Sequence, residues 1–260
     1  MIAVIGLIAA EVVTSAPYGQ TLLDAMHRRH PEISAAQIVS IDRQGTPTKL
    51  DRRWSGRSRS SQRKTLFDAN GNEIGAVVLH TRCAQFTNAD KIESELARRI
   101  YSQGSLIEPD PFVVGATRSP KAQAMIDDAL DHDPTIITLA FHVTPPDGTI
   151  NSIVASSFGR IGKAADSDDA RVMAEGGSVR EITNNGRRIA VELPLLDSRR
   201  HIIGALSTSF KLEPGSTGDQ AERRAVALRD SLARRTPSLK ALFRSATASR
   251  QVRALRPCHQ

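Results

Sequence analysis

Arg160 and Lys163 lie in the stretch "SSFGRIGKAADSDDARVMAEGGS", where Gly159 and Gly162 loosen the backbone around them. A guanidinium and an ammonium so placed can clamp a carboxylate or a phosphate. A few residues on, Asp168 and Asp169 offer carboxylates to an amine, and Ser156 opens the segment with a hydroxyl. The same letters also spell helix punctuation. Asp166 or Ser167 can cap a short helix, Asp168 and Asp169 suit its first turn, and Gly176-Gly177 would end it. His142 is a further candidate ligand-binding residue. Alternation along "IITLAFHVT" puts Ile137, Leu139, Phe141 and Val143 on one face and Thr138, Ala140, His142 and Thr144 on the other. A histidine on that small-residue face can line a pocket or titrate. It could also ligate a metal, but it has no partner at H-x-H or H-x-x-x-H spacing, so a metal site would need distant ligands. His30 and His132 sit at helix ends and read as partners of the C-terminal dipole.

Catalytic signatures do not accompany these residues. The chain has no G-x-S-x-G, H-E-x-x-H or C-x-x-C, and "GRIGKAAD" lacks the rest of a phosphate loop. The expectation is a protein that is not an enzyme and needs no cofactor. Two cysteines, Cys83 and Cys258, make no disulfide framework; a buried Cys83 and a loose Cys258 are expected.

The elements that must position these side chains emerge when the sequence is compared with itself. "LLDAMHRRHPEI" (22–33) matches "MIDDALDHDPTI" (125–136) at an offset of 103, and the same offset sets Gly45-Thr46 on Gly148-Thr149. "LFDANGNEIGAVVL" (66–79) matches "LLDSRRHIIGALST" (195–208) at an offset of 129, aligning Asp68 with Asp197 and Gly75 with Gly204. The second copy therefore carries 26 more residues between its anchors, and they fall within Asn151 to Arg187, the range that holds Arg160 and Asp169. Each copy reads as a helix, two strands, a variable connector, further antiparallel strands and a closing helix. The helices are marked by Leu22, Leu23 and Met26, by Met125, Ile126 and Leu130, by Ile92, Leu96 and Ile100, and by Ala221, Ala225, Leu228 and Leu232. "DANG" and Asn184-Asn185-Gly186 signal hairpins, and "VREIT" adds a strand to the second copy.

Helix, two strands, connector with a short helix, three strands, helix is an order that resembles the PAS-like fold, more particularly the Cache-type extracytoplasmic sensor domains. The "HVTPP…IVAS…GRIGK" phrase is similar to small exported proteobacterial proteins. The resemblance implies an α+β chain of two tandem PAS-like (Cache-like) units, with a ligand between sheet and connector of the second. The Cache amino-acid-binding signature is not recognisable. The expected division is 1–16 signal peptide, 17–104 first shortened repeat, 105–120 linker, 121–236 second repeat and 237–260 basic tail.

Composition sets the partners. Residues 2–10 are apolar and run to a small-x-small pattern at Thr14-Ser15-Ala16, the form of a secretory signal, so a periplasmic or secreted location is expected, or a cytoplasmic one if that segment is not a signal. No other stretch nears the about 18 apolar residues of a membrane span, so a membrane-protein partner would relay any signal. The net charge of +7 favours an anionic small-molecule ligand. Aromatics at 4% and the lack of a nucleic-acid fold signature make nucleic acid an unfavoured partner. The rival reading uses "RRWSGRSRSSQRK" (52–64), with six positive charges and no acid, and the basic tail to bind an anionic surface or nucleic acid.

Overall fold

The computed structural model describes residues 16–41, 47–183, 186–212 and 215–244. The apolar N-terminal segment before Ala16, Gly45-Thr46, Asn184-Asn185, Cys258 and most of the basic tail lie outside the described residues. Among the described residues no helix is long and apolar enough to cross a membrane.

The chain is α+β. A two-residue strand, β1 (Ala16–Pro17), leads into α1 (Tyr18–Arg29). Leu22, Leu23 and Met26 form the buried stripe of α1, and the helix stops at His30 because Pro31 disfavours helical backbone before it. Then come β2 (Ile33–Ile41), β3 (Pro47–Arg53), β4 (Ser60–Phe67) and β5 (Glu73–Thr81), in an antiparallel sheet of order β3-β2-β5-β4. α2 (Ala89–Ala97) packs on β4, closing a core that includes Ile38, Leu66, Leu79, Ile92 and Ile100.

A 3-10 turn at Gly104–Leu106 and β6 (Pro109–Asp110), paired with β1, carry the chain into α3 (Pro120–His132). Then follow β7 (Ile136–Val143), β8 (Ser152–Ser156), α4 (Ser167–Glu175), β9 (Val179–Thr183), β10 (Arg188–Leu196), β11 (Ile202–Lys211), α5 (Gly218–Arg234) and α6 (Leu239–Leu242). The five strands form one antiparallel sheet, β8-β7-β11-β10-β9. One face builds a second core with α3 and α5, around Phe141, Val191, Leu206 and Phe210. The opposite face is covered over β10 and β11 by α4. This is the element order expected for residues 121–236. The fold runs on into the segment read as tail: Leu242 is fully buried, and its carbonyl accepts the Ser119 hydroxyl at 2.7 Å.

Both anchors at the 129-residue offset recur as geometry. Asp68 Oδ1 accepts the backbone N–H groups of Asn70 (2.8 Å) and Asn72 (3.0 Å); Asp197 Oδ1 accepts those of Arg199 (2.8 Å) and His201 (3.0 Å). An aspartate that satisfies its own turn's donors fixes the hairpin. A Cβ on Gly75 would stand 2.1 Å from the Val39 carbonyl oxygen, and one on Gly204 2.2 Å from that of His142. Val39 and His142 are themselves 103 apart. Both glycines are dictated by a strand crossing too close for a side chain.

Two expectations need correction. A register shift between Ser209 and Phe210, opposite β7, places Ile136 rather than Ile137 in the core, while Leu139, Phe141 and Val143 remain there. Cys83 is buried as expected, but it is disulfide-bonded rather than free.

Polar groups join the two sheets. The Tyr18 hydroxyl donates to the Arg99 carbonyl at 2.9 Å, Arg98 donates to the Leu130 carbonyl at 2.8 Å, and Arg99 pairs with Asp127 at 2.9 Å. Burial pushes the Tyr18 phenol well above its ordinary range.

Candidate functional site

α4 is built as its letters imply. Asp166 is the N-cap: its Oδ1 accepts the backbone N–H of Asp168 (3.0 Å) and of Asp169 (3.2 Å). Asp169 Oδ2 accepts the Asp166 N–H at 3.1 Å, completing a capping box, and Gly176 ends the helix in the left-handed conformation. The cap aims Asp169 inward. Its side chain is 1% exposed, and its Oδ2 lies 2.8 Å from Nδ1 of His142. His142, on the face shared with Thr138 and Ala140, is buried as well. Two candidates 27 residues apart in sequence thus form one pair.

The other candidates are held elsewhere. Arg160, with φ at 62°, makes two 2.8 Å bonds to the Glu108 carboxylate, which keeps its guanidinium ionised. It is therefore not the open half of an anion clamp. Lys163 is exposed, and Asp168 is a surface residue paired with Arg171 at 3.2 Å. The Ser156 hydroxyl donates to the Gly159 carbonyl and accepts the Phe158 N–H at 3.3 Å, which shapes the loop. A Cβ on Gly159 would stand 2.7 Å from the Tyr18 ring, so the glycine before Arg160 is required by contact with α1 as well as by its φ of 79°. His30 is buried against Glu95 (3.1 Å) and Glu32 (3.4 Å) and does more than complement a helix end. Desolvation lowers its pKa, but the two carboxylates outweigh that and bring it to about 9.

A cleft of about 360 Å³ is lined by Tyr101, Thr138, Phe158, Arg188, Glu192 and Ser207 among others. Arg188 and Glu192, the charged residues among these, went unnoticed in the sequence. Arg188 is buried, and its guanidinium donates to Asn70 Oδ1 (3.1 Å) and Thr138 Oγ1 (3.4 Å) and stacks over Tyr101 at 5.0 Å. It has no ion-pair partner among the described residues, and its Nε is enclosed without an acceptor. Glu192 faces Asp169 and Asp166. Burial, and then repulsion from Asp169, Asp166 and Asp168, raise its pKa to about 7, against the Ser207 hydroxyl. The signal for both was in "RRIAVELPLL": Ile189, Val191 and Leu193 occupy the core face, which leaves Arg188, Ala190 and Glu192 on the other.

The rival basic loop is partly spent internally. Arg52 pairs with Asp24 at 3.1 Å, Lys64 with Asp90 at 2.5 Å, and Trp54 stacks on His27 at 4.2 Å.

No protein-family model matches the chain, and no curated protein matches it in sequence. Among solved structures, the A. aeolicus nlh2 GAF domain in an inactive state is similar over 47% of this chain and 82% of that chain, at 10% identity and a TM-score of 0.33. The PobR inducer-binding domain from Acinetobacter, a double mutant complexed with 3-hydroxybenzoic acid, covers 48% and 99% at 13% identity and 0.32. PelD from Pseudomonas aeruginosa in complex with c-di-GMP covers 90% and 83% at 14% identity and 0.27. Scores this low leave the architecture to rest on the strand order itself.

Proposed function

We propose that the protein is an exported, non-enzymatic small-molecule binding protein made of two PAS-like units. The second unit holds an anionic ligand between its sheet and its connector, and the first, without a connector helix, serves as scaffold. The observation that carries this reading is Arg188. A guanidinium taken out of water without a carboxylate beside it is costly, and the penalty is relieved by an anion that arrives in the cleft. Hydroxyls of Thr138, Ser207 and Thr208 line the same cleft and can orient a polar ligand. The binding state would pass to a membrane-protein partner. Binding without turnover is the reading because the cleft's named polar groups are an arginine, a carboxylate and hydroxyls that can orient a ligand.

Thermal shifts against a panel of small mono- and dicarboxylates test it. At saturating ligand the wild-type midpoint should rise by several degrees, since ligand at about 100 times Kd adds about 2.7 kcal/mol. Arg188→Met should abolish the rise while far-ultraviolet circular dichroism stays native. No response to any carboxylate, or an unchanged response in R188M, would sink the proposal.

A further inference from the structure

We propose that Asp166, Asp169 and Glu192 form a binding site for a hard divalent cation at the N-terminus of α4. One oxygen from each residue can be chosen so that all three lie within 4.8 Å of one another. Oxygens bound to one calcium at about 2.3–2.6 Å stand up to roughly twice that distance apart, so the spacing fits a shared ion.

The capping box accounts for Oδ1 of Asp166 and for Oδ2 of Asp169, but not for what remains. Asp169 Oδ1 is closed off from solvent and has no hydrogen-bond donor, on a side chain that is 99% buried. Glu192 Oε2 is in the same condition. Two enclosed carboxylate oxygens without donors, in a group of three acids, are what a missing positive charge leaves behind. Among the described residues no Lys or Arg pairs with any of the three. Among the described residues His142 is the one basic group in contact, and it touches the Asp169 oxygen that already accepts the cap. Its Nδ1 makes no hydrogen bond there in spite of the 2.8 Å approach, and Oδ1 on the other side of the carboxylate is the oxygen left for an ion. An all-oxygen set favours calcium, magnesium or manganese over zinc or copper. The inference does not depend on the cleft taking an organic ligand.

The experiment is calorimetric titration of the EDTA-treated full chain with CaCl₂, MgCl₂ and MnCl₂ separately. Saturable binding of one equivalent of at least one ion is expected. Glu192→Gln, nearly isosteric, should weaken it at least tenfold, and Glu175→Gln, at the exposed far end of the same helix, should leave it unchanged. Absence of saturable binding for all three ions, or wild-type affinity in E192Q, overturns the proposal. Should E192Q not fold, manganese added to the wild type decides: selective broadening of the His142 ring resonances supports the site, and broadening elsewhere alone refutes it.

Discussion

Burial of Glu192 beside Asp166 and Asp169 makes the proton on its carboxyl part of the folded structure near neutral pH. The unfolded chain releases that proton near 4.5 and the folded chain at about 7, so stability from this group is present below 4.5 and lost as pH rises through 7. In metal-free buffer, E192Q should flatten the pH dependence of the urea midpoint between pH 5 and 8 and exceed wild-type stability at pH 8. His30 behaves with the same sign over a higher window. Its raised pKa stabilises the fold below 6.5, and the benefit disappears as pH passes 9. His30→Gln should therefore cost roughly 2 kcal/mol at pH 6, the scale of charge-assisted hydrogen bonds, and less at pH 9.5. At this scale the sequence offered His142 and Asp169 as separate candidates, and only the cap of α4 reveals them as a pair. Arg160 misled because Glu108, 52 positions away, has no local signature.

The hairpin turns and strand crossings carry the next set of constraints. Asp197 accepts two backbone donors in the β10–β11 turn, so Asp197→Ala should lower stability by about 1–3 kcal/mol, and Asp68→Ala should do likewise in the other sheet. Gly204→Ala would drive a methyl group into the His142 carbonyl and should cost more than about 2 kcal/mol, as overpacking does, with loss of amide protection along β7 and β11. Element order was legible because hydrophobic period, proline stops and glycine turns are local, and every strand and helix of 121–236 follows from them. The bulge opposite Ile136 was not. It is set by the partner strand, so alternation counted along β7 alone chose Ile137.

Across the whole molecule, few groups decide whether the sheets behave as one body. Tyr18 sits at the junction, touching Gly159 through its ring and the Arg99 carbonyl through its hydroxyl. Arg99 also reaches Asp127 on α3. Tyr18→Phe combined with Arg99→Met should turn a single calorimetric unfolding transition into two, with a van't Hoff enthalpy below the measured one. Repeat offsets gave no sign of this junction, because contacts between unlike surfaces leave no repeat in sequence. The cores themselves are separate along the chain: one draws on residues from Tyr18 to Leu106, the other on residues from Ala122 to Leu242. During synthesis the first can close while the second is still being made, as chains assembled from the N-terminus allow. The second must wait for Leu242, so the cleft, lined by Asn70 and Tyr101 as well as by Arg188 and Glu192, is completed only after the first core has left the ribosome.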